Sequence, residues 1–382
     1  MKILYFTNIL APYRIGLFNK LNEIFNGDIK FYFDGKTEIN RKWKIPEAEL
    51  KFRYEINNAP YISKVSYSAN KSELQRFIYF PFYIFKIVLR EKPEIILTSE
   101  FGLRTLFALI AGKLVGAKTF ILSEVTSQSE SNINFIRSHI RKFLAKLSDG
   151  GIAFGRKSAG YLLSLGFSQN DIVISPEAID NSYFEKLSGN ITKKNARAKL
   201  DIPNDKFVFL YVGQFIQRKG LDLYLKAIDR FLSGINSGDV LFLFAGGNET
   251  EFKKVTGIKP YDNFKIIDYV QSDRLVDIYK ASDCLILPTR NDVWGLVVNE
   301  AVACGLPVAV SEFAGSAGDL IQDKQSGLVF NPFDEISFAE VLEFCFVNRT
   351  QLERFAINAK SKLEFFNHET AAKRIKEFVT NH

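Results

Sequence analysis

Two acidic side chains, Asp292 and Glu300, stand eight positions apart in NDVWGLVVNEAVACGLPVAV, residues 291–310. Gly295 lies between them, and the apolar segment that follows it predicts a helix. The first N–H groups of such a helix, in residues 295–297, have no partner within the helix and attract phosphate. Carboxylates accept hydrogen bonds from hydroxyl groups. The stretch therefore predicts a phosphate site flanked by two side chains that suit a hydroxyl-rich ligand.

Basic side chains follow another predicted strand. Arg218 and Lys219 come shortly after FVFLYVG, residues 207–213. Their charges would balance a diphosphate bound over the start of the helix. A ligand with a ribose, two phosphates and a hexose fits this arrangement. Glu300 would then hold ribose hydroxyls, and Asp292 would reach the hydroxyls at the other end of the ligand.

The elements that position these residues follow a repeated pattern. Short apolar runs alternate with helical stretches, which is typical of parallel sheets covered on both faces. The 382 residues suffice for two such domains. We predict an α/β fold with two doubly wound, Rossmann-like parallel-sheet domains, whose ligands bind beyond the carboxyl ends of the strands. The predicted strands are KILYFT, EIILTS, KTFILS and GGIAF in the first half and FVFLYVG, VLFLFAGG, FKIIDYV, CLILPT and LPVAVSE in the second.

The domain boundaries are predicted from polarity. Residues 181–205 are polar, lack a strand pattern and contain glycine and proline, so we expect a linker there. It would separate an N-terminal domain, residues 1–180, from a C-terminal domain, residues 206–365. Residues 366–382 are predicted to form a helix that packs back on the N-terminal domain.

The stretch PTRNDVWGLVVNEAVACGLPVAV resembles the carboxylate motif of family 4 glycosyltransferases. These have the GT-B fold, in which two Rossmann-like domains face each other across a cleft. The family's paired glutamates fall on Asp292 and Glu300, so the first is shortened to aspartate. The family's phosphate-binding pair falls on GQFIQRKG, where Lys219 matches. Gln214 occupies the family's arginine position, and Arg218 stands nearby to supply the charge.

The resemblance implies a retaining glycosyltransferase. It would move a hexose-type sugar from a UDP- or GDP-sugar to a glycan or polyprenyl-linked oligosaccharide during synthesis of a bacterial surface polysaccharide such as O-antigen or capsule. The nucleotide sugar would be a co-substrate, and neither a metal nor a bound cofactor is expected. The predicted catalytic residues are Asp292, Glu300, Lys219 and Arg218; the predicted donor-binding residues are Gly213, Gln214, Gly246, Gly295, Leu296, Val297 and Glu300; and the predicted acceptor-binding residues are Pro12, Tyr13, Arg14 and Glu124.

The sequence lacks the features that other functions would require. A nucleotide-sugar epimerase or a sugar phosphorylase could share the fold, but the sequence shows neither the extra acids and histidines of the first nor a pyridoxal lysine site for the second. A dinucleotide-dependent dehydrogenase needs G-x-G-x-x-G after the first strand, and TNILAPYR lacks it. Nucleic acid is not an expected partner, because no aromatic-basic recognition motif accompanies the positive charge.

Location is inferred from charge and hydropathy. Residues 1–180 hold 25 Lys and Arg against 17 Asp and Glu. No apolar run reaches the roughly 18 residues that span a bilayer. Three cysteines in apolar surroundings indicate a reducing compartment, so we expect a cytoplasmic protein. The basic N-terminal half adds the hypothesis that it is peripheral on the inner face of the plasma membrane.

One segment bears on that membrane surface. Residues 134–147, NFIRSHIRKFLAKL, place apolar and basic side chains at helical spacing. Two interpretations stay open: a helix that faces the core with a solvated basic side, and a helix that lies on an anionic leaflet. The cations concerned are Arg137, Arg141, Lys142 and Lys146.

Overall fold

The computed structural model describes residues 1–38, 45–67, 73–131 and 133–382. They form two compact units. The first unit comprises Met1–Ser68, Leu74–Ile179 and Phe366–His382, and the second is formed mainly by Asp180–Phe365. The last residues of the chain therefore belong to the same unit as the first ones.

A parallel sheet forms the centre of the first unit. The strands of this unit are β1 (Ile3–Ile9), β2 (Ile29–Gly35), β3 (Arg53–Ile56), β4 (Tyr61–Tyr67), β5 (Glu73–Tyr79), β6 (Ile95–Ser99), β7 (Lys118–Ser123), β8 (Gly150–Ala153) and β9 (Ile172–Ile174). The sheet has the order β3-β2-β1-β6-β7-β8-β9, and its neighbouring strands run parallel. β4 pairs with β5 in a separate two-stranded sheet.

Helices cover both faces of the central sheet. They are α1 (Ile15–Ile24), α2 (Tyr83–Glu91), α3 (Leu103–Val115), α4 (Phe135–Leu147) and α5 (Arg156–Ser164). Successive side chains of a strand point to opposite faces. Ile3 and Tyr5 accordingly pack in the apolar cluster of α1, while Leu4 and Phe6 pack in that of α2 and α3. Burial on both faces explains why β1 is a nearly continuous apolar run.

The second unit repeats this plan. Its strands are β10 (Phe207–Val212), β11 (Val240–Ala245), β12 (Phe264–Ile267), β13 (Cys284–Leu287), β14 (Val308–Ser311) and β15 (Leu328–Phe330). They form a parallel sheet of order β12-β11-β10-β13-β14-β15. The order reverses at β10, because the chain leaves β10 for β11 on one side and later places β13 on the other. The carboxyl ends of β10 and β13 therefore border the crevice where open α/β sheets bind ligands.

The helices of the second unit are α6 (Asn181–Gly189), α7 (Lys193–Lys199), α8 (Leu221–Leu232), α9 (Glu249–Thr256), α10 (Ser272–Ala281), α11 (Leu296–Ala303), α12 (Glu335–Val347) and α13 (Arg349–Lys362). Residues 181–205, which the sequence analysis assigns to a linker, contain α6 and α7. Arg197 anchors this segment: it is buried, donates to the carbonyl of Ala281 at 2.9 Å and pairs with Asp283 at 2.7 Å. Polarity alone does not reveal this role, because the arginine is stabilised by partners more than 80 positions away.

The last helix, α14 (His368–Asn381), packs against α1 in the first unit. Its buried side chains, among them Ala372 and Ile375, join the cluster that covers one face of the sheet. The two helices approach closely at Gly16, where an added Cβ would lie 2.2 Å from the ring of His368. A larger residue at this position would have to displace the imidazole.

The predicted fold class is confirmed, and each strand predicted from sequence is present. β2, β3, β4, β5, β9 and β15 were not predicted. The three cysteines are buried without forming a disulfide, in agreement with the apolar surroundings noted in the sequence. Among the described residues no helix is both long and apolar enough to cross a membrane.

Candidate functional site

The candidate site lies at the carboxyl ends of β10 and β13. The loop after β10 carries Arg218 and Lys219, and the loop after β13 carries Asp292 and leads into α11. The backbone joins the two loops, since Arg290 N–H donates to the carbonyl of Arg218 at 2.9 Å. The structure thus brings together the basic and acidic residues that the sequence analysis assigns to one ligand.

The predicted helix start is confirmed. α11 begins at Leu296, and Gly295 precedes it with φ of 92°, a left-handed conformation that favours glycine. A Cβ on Gly295 would lie 2.7 Å from a methyl carbon of Leu287, so glycine also satisfies a steric limit. The first N–H groups of α11, including that of Val297, have no carbonyl partner within the helix. This end of α11 therefore presents donors and a positive partial charge to a ligand.

Asp292 is held by the two predicted phosphate ligands. Lys219 forms a short ion pair with one oxygen of its carboxylate, and Arg218 Nη1 lies 3.9 Å from the other. Burial raises the pKa of Asp292, but the charges of Lys219 and Arg218 outweigh it and leave the pKa below its ordinary value. Asp292 is therefore ionised at neutral pH and already neutralises one of the two cations.

Arg290, which the sequence analysis missed, fixes the basic loop. Its guanidinium makes a bidentate pair with Asp222 at 2.6 and 2.7 Å, and also donates to the carbonyl of Gln217 at 2.7 Å. Arg290 lies two positions before Asp292, so its partners tie the loop after β13 to α8. No local sequence pattern marks this pair, because the residues are 68 positions apart.

The two loops approach each other at Gly220. Its φ is 75°, and an added Cβ would lie 1.8 Å from the carbonyl oxygen of Pro288. No other L-amino acid fits without moving the backbone. The glycine after Lys219 in the motif is therefore explained by a backbone contact that brings Lys219 to Asp292.

Glu300 is half-buried on α11 and accepts a hydrogen bond from the hydroxyl of Tyr279 at 2.6 Å. Burial raises the pKa of Glu300, and the hydrogen bond from Tyr279 opposes that rise. The tyrosine uses only one carboxylate oxygen, Oε2. A carboxylate has about four acceptor positions, so Glu300 retains acceptor capacity for hydroxyl groups.

A glycine-rich loop after β14 packs against the start of α11. Gly315 N–H donates to the carbonyl of Asp292 at 3.0 Å, and Ser316 N–H donates to that of Trp294 at 3.1 Å. Gly315 must be glycine, because a Cβ there would lie 1.9 Å from the carbonyl oxygen of Val293. The loop therefore supports the backbone between Asp292 and α11.

Ser316 is the second functional candidate that the sequence analysis missed. Its side chain is fully buried, and its hydroxyl has no hydrogen-bond partner among the described residues. An ideal Cβ on Gly295 would lie 3.8 Å from this hydroxyl oxygen, which places Ser316 beside the start of α11. An unpartnered buried hydroxyl is costly, and a ligand oxygen at the helix start would satisfy it.

Three predicted donor-binding residues lie where neighbouring strands end. Gly213 N–H donates to Ala245 at 2.9 Å, and a Cβ on Gly246 would lie 2.4 Å from the carbonyl oxygen of Gly213. Gln214 is exposed. These three positions can therefore offer a ligand backbone groups and one exposed side-chain amide, but they carry no charge.

The predicted acceptor residues lie in the first unit, after β1 and β7. Arg14 is buried and pairs with Glu124 and, at 3.1 Å, with Glu177, a residue the sequence analysis did not select. Its guanidinium also lies 4.0 Å from the ring centre of Phe154. Pro12 opens the short helical turn that contains Tyr13 and Arg14. Arg14 is thus engaged by carboxyl groups at this edge of the first sheet.

Glu100 extends this acidic group. It follows β6 with φ of 63° and accepts hydrogen bonds from Glu124 N–H at 2.8 Å and from the Ser123 hydroxyl at 3.2 Å. Burial, with the charge of Glu124, raises the pKa of Glu100 to about 7. Burial likewise raises the pKa of Glu177 to about 8, against the opposing charge of Arg14.

No group of His, Cys, Asp and Glu among the described residues has the arrangement of a metal site. The predicted lack of a metal requirement nevertheless stays a prediction, because a nucleotide can itself supply ligands to a metal ion. The charges that the described loops offer to a diphosphate are those of Arg218 and Lys219.

The second unit is similar in sequence to known glycosyltransferases. Residues 192–362 match the family described as glycosyl transferases group 1. A D-inositol 3-phosphate glycosyltransferase from Xylanimonas cellulosilytica is 26% identical over 232 residues, 59% of this chain and 55% of the relative. One from Streptosporangium roseum is 30% identical over 197 residues, 48% and 44% of the two chains. The chain thus spans about half the length of these relatives.

Solved structures resemble the whole chain. A glycosyltransferase from Rickettsia africae has a TM-score of 0.72 and 16% identity and covers 100% of this chain and 99% of its own. Anabaena HepE, solved with UDP and glucose, has a TM-score of 0.72 and 14% identity and covers 100% of both chains. Identities this low establish the fold alone. The chain therefore has the GT-B fold, and its residues 192–362 match the family of group 1 glycosyl transferases.

Proposed function

We propose that this protein is a retaining glycosyltransferase that transfers a hexose from a nucleotide diphosphate sugar. One observation carries the proposal: the start of α11 lies beside Lys219, Arg218 and the unpartnered hydroxyl of Ser316. Donors, cations and a hydroxyl that lacks a partner converge where a diphosphate needs them. The family match of this region supports the same reaction class.

In this proposal the donor replaces an internal ion pair. Lys219 and Arg218 turn from the carboxylate of Asp292 to the diphosphate, together with the first N–H groups of α11. Asp292 then accepts hydrogen bonds from the hexose, and Glu300 accepts them from the ribose. Backbone near Gly213 and Gly246, with Gln214, would border the base.

The donor is a UDP- or GDP-sugar, and UDP-glucose is the first to test. Anabaena HepE has been solved with UDP-glucose, and it has a TM-score of 0.72 to this chain. The base would meet mainly backbone and apolar atoms, which discriminate nucleotides weakly. We therefore propose the hexose donor as a class and leave its base to measurement.

We propose that the anomeric configuration is retained because the acceptor hydroxyl attacks the sugar from the same face from which the diphosphate leaves. The diphosphate, stabilised by Lys219, Arg218 and the helix start, takes the proton of the acceptor hydroxyl as its bond to the sugar breaks. The new glycosidic bond then has the configuration of the donor. Asp292 and Glu300 orient the donor in this scheme and form no covalent bond.

The proposed acceptor is a glycan or a polyprenyl-linked oligosaccharide of a bacterial surface polysaccharide, elongated in the cytoplasm. Pro12, Tyr13, Arg14 and Glu124 would line its site. Since Arg14 is already paired with two carboxylates, this edge suits sugar hydroxyls better than a phosphate. That favours a glycan over the inositol phosphate for which the two relatives are named.

The alternatives are less well supported. Among the described residues, neither additional acids nor histidines surround Glu300 as an epimerase would require. The loop after β1 lacks the glycines that a dehydrogenase uses to bind a dinucleotide. A phosphorylase of this fold would need a lysine site for pyridoxal phosphate, and the sequence does not show one.

A thermal-shift panel of UDP-, GDP- and ADP-sugars tests donor binding. We expect one nucleotide to stabilise the protein and Glu300→Ala and Lys219→Ala to remove that stabilisation. Lys226→Ala and Glu343→Ala make the same changes at exposed positions of α8 and α12 and should leave it intact. Stabilisation that survives in Lys219→Ala would contradict the diphosphate placement.

The reaction class needs its own assay. Proton NMR of the sugar released or transferred reports the anomeric configuration directly. We expect the initial product to have the configuration of the donor. An inverted initial product would refute the retaining mechanism while leaving donor binding intact.

A further inference from the structure

Helix α4 exposes its largest apolar side chains. Phe135 is 77% exposed, Ile136 67%, Phe143 57% and Ile140 50%. At 100° per residue these four positions fall within an arc of roughly 140° on one side of the helix. Contiguous exposed apolar surface of this kind is rare on soluble proteins unless it binds something.

The inner side of α4 is partly polar. Arg141 is buried, pairs with Glu130 at 3.0 Å and donates to the hydroxyl of Tyr161 at 2.6 Å. Leu144 and Ala145 are the apolar side chains that pack inward. The interpretation of α4 as a helix whose apolar side faces the core is therefore wrong for its four largest apolar residues. The ion pair between Arg141 and Glu130 explains this orientation, because it allows the helix to pack against the unit through a buried cation.

The outer side of α4 also carries positive charge and no negative charge. Lys142 and Lys146 are exposed and lie within about 20° of one edge of the apolar arc, while Arg137 lies beyond the other edge and is half-buried. The helix FIRSHIRKFLAKL contains no acidic residue. Long basic side chains at the margin of an apolar face are suited to reach lipid phosphates while the apolar side chains insert.

We propose that the outer face of α4 docks on an anionic phospholipid bilayer. At 13 residues the helix is about 20 Å long, enough to lie in the interface but too short to cross it. The neighbouring α3 also exposes Ile110, Lys113 and Leu114. This inference goes beyond the proposed reaction and does not depend on it.

The positive charge of the outer face of α4 favours an anionic lipid over a second protein copy as its binding partner. A second copy of the chain would meet this face with the same lysines and no acidic residue on α4 to pair them. An anionic leaflet supplies phosphates to the lysines and hydrocarbon to Phe135 and Phe143 at once. The excess of positive charge in residues 1–180 adds attraction in the same direction.

Vesicle flotation of the full chain tests this surface. We expect binding to vesicles that contain phosphatidylglycerol and weak binding to phosphatidylcholine alone. Phe135→Ser with Phe143→Ser should weaken the partition at least about tenfold, since both rings leave the interface. Lys142→Glu with Lys146→Glu should weaken it by a similar factor and remove its dependence on anionic lipid.

Matched controls separate this effect from general loss of hydrophobicity or charge. Val347→Ser with Ile357→Ser removes two apolar side chains that are 67% and 69% exposed on the second unit, and Lys253→Glu with Lys254→Glu reverses two exposed lysines of α9. Both control proteins should float like the wild type. Circular dichroism and the donor-induced thermal shift should be unchanged in all variants.

Two results would overturn the inference. One is equal flotation of the wild type and the Phe135→Ser, Phe143→Ser variant. The other is a dimer, measured by light scattering without lipid, that this variant dissociates, since that would assign the face to a second copy. A failure to bind any nucleotide sugar would instead count against the proposed function and leave the membrane surface standing.

Discussion

Replacing Lys219 by methionine would expose how strongly the candidate site depends on one ion pair. The side chains of Lys219 and Asp292 are 16% and 10% exposed. Breaking a buried pair by removing one partner typically costs about 3–5 kcal/mol. Here Arg218 remains 3.9 Å from the carboxylate, and neither partner is completely buried. We therefore expect Lys219→Met to lower the unfolding free energy of the second unit by about 2 kcal/mol.

The sign of the pH dependence follows from the pKa of Asp292. In the wild type this pKa is lowered from its ordinary 3.8. The pair thus contributes stability that is present above pH 3.8 and is lost as pH falls through the lowered pKa. Without Lys219, burial acts with less opposition and raises the pKa of Asp292. The cost of Lys219→Met should therefore be largest near neutral pH and shrink as Asp292 takes up a proton.

The chain offers a local probe for this measurement. It contains two tryptophans, so Trp43→Phe leaves Trp294, which is buried close to Asp292, as the single tryptophan. Urea unfolding would be followed for Lys219→Met, Asp292→Asn and the double variant, near neutral pH and near pH 5, with Lys226→Met as the exposed control. We expect a coupling energy of about 1–2 kcal/mol. Additive effects within about 0.5 kcal/mol at both pH values would refute the argument.

Three further predictions follow from single contacts. Gly220→Ala should lower the unfolding free energy by more than about 2 kcal/mol, because its Cβ would lie 1.8 Å from the Pro288 carbonyl oxygen. Trp294 fluorescence in urea measures this change. An unfolding midpoint equal to that of the wild type would show that the loop relaxes to accept the methyl group. Tyr279→Phe should weaken UDP binding about fivefold at neutral pH. The loss should be larger at acidic pH, because the pKa of Glu300 rises when its hydrogen bond from Tyr279 is lost. A fluorescence titration in which the variant loses the same affinity for UDP at neutral and at acidic pH would contradict this. Wild-type stability should fall as pH rises from 4.5 to about 7, because burial raises the pKa values of both Glu100 and Glu177 in the folded protein. Glu100→Gln should reduce this slope without abolishing it in urea unfolding followed by circular dichroism, and an unchanged slope would show that Glu100 does not contribute to it.

The parts of the fold that sequence predicts are those fixed by local composition. Continuous apolar runs identified β1 and β10 because strands buried on both faces leave no room for polar residues. β2 has the same burial, but Lys30 and Asp34 break its run. Asp34 is stabilised there by an ion pair with Arg104 and a hydrogen bond from Tyr83 at 2.7 Å. Those partners are 70 and 49 positions away, so the sequence around Asp34 cannot reveal them.

The candidate site divides in the same way. The start of α11 is predictable because Gly295 and the following apolar residues are adjacent in sequence. The contacts of Asp292 with Lys219, 73 positions away, and of Glu300 with Tyr279, 21 positions away, depend on how strands are ordered in the sheet. The position of Ser316 in the candidate site cannot be inferred from the local sequence. A serine in a glycine-rich loop is ordinary until the structure shows that its hydroxyl is buried without a partner.

The Lys219–Asp292 pair links stability to the proposed reaction. One lysine cannot neutralise Asp292 and a diphosphate to the same extent, so donor binding must weaken the internal pair. The same exchange leaves Asp292 able to accept hydrogen bonds from the hexose only when the phosphates are in place. Asp292→Asn should then bind free UDP at least as tightly as the wild type, because Lys219 is no longer engaged, yet lose the added affinity that a hexose provides. Calorimetry with UDP and UDP-glucose measures both, and a parallel loss of affinity for the two ligands would show that Asp292 serves only to hold Lys219.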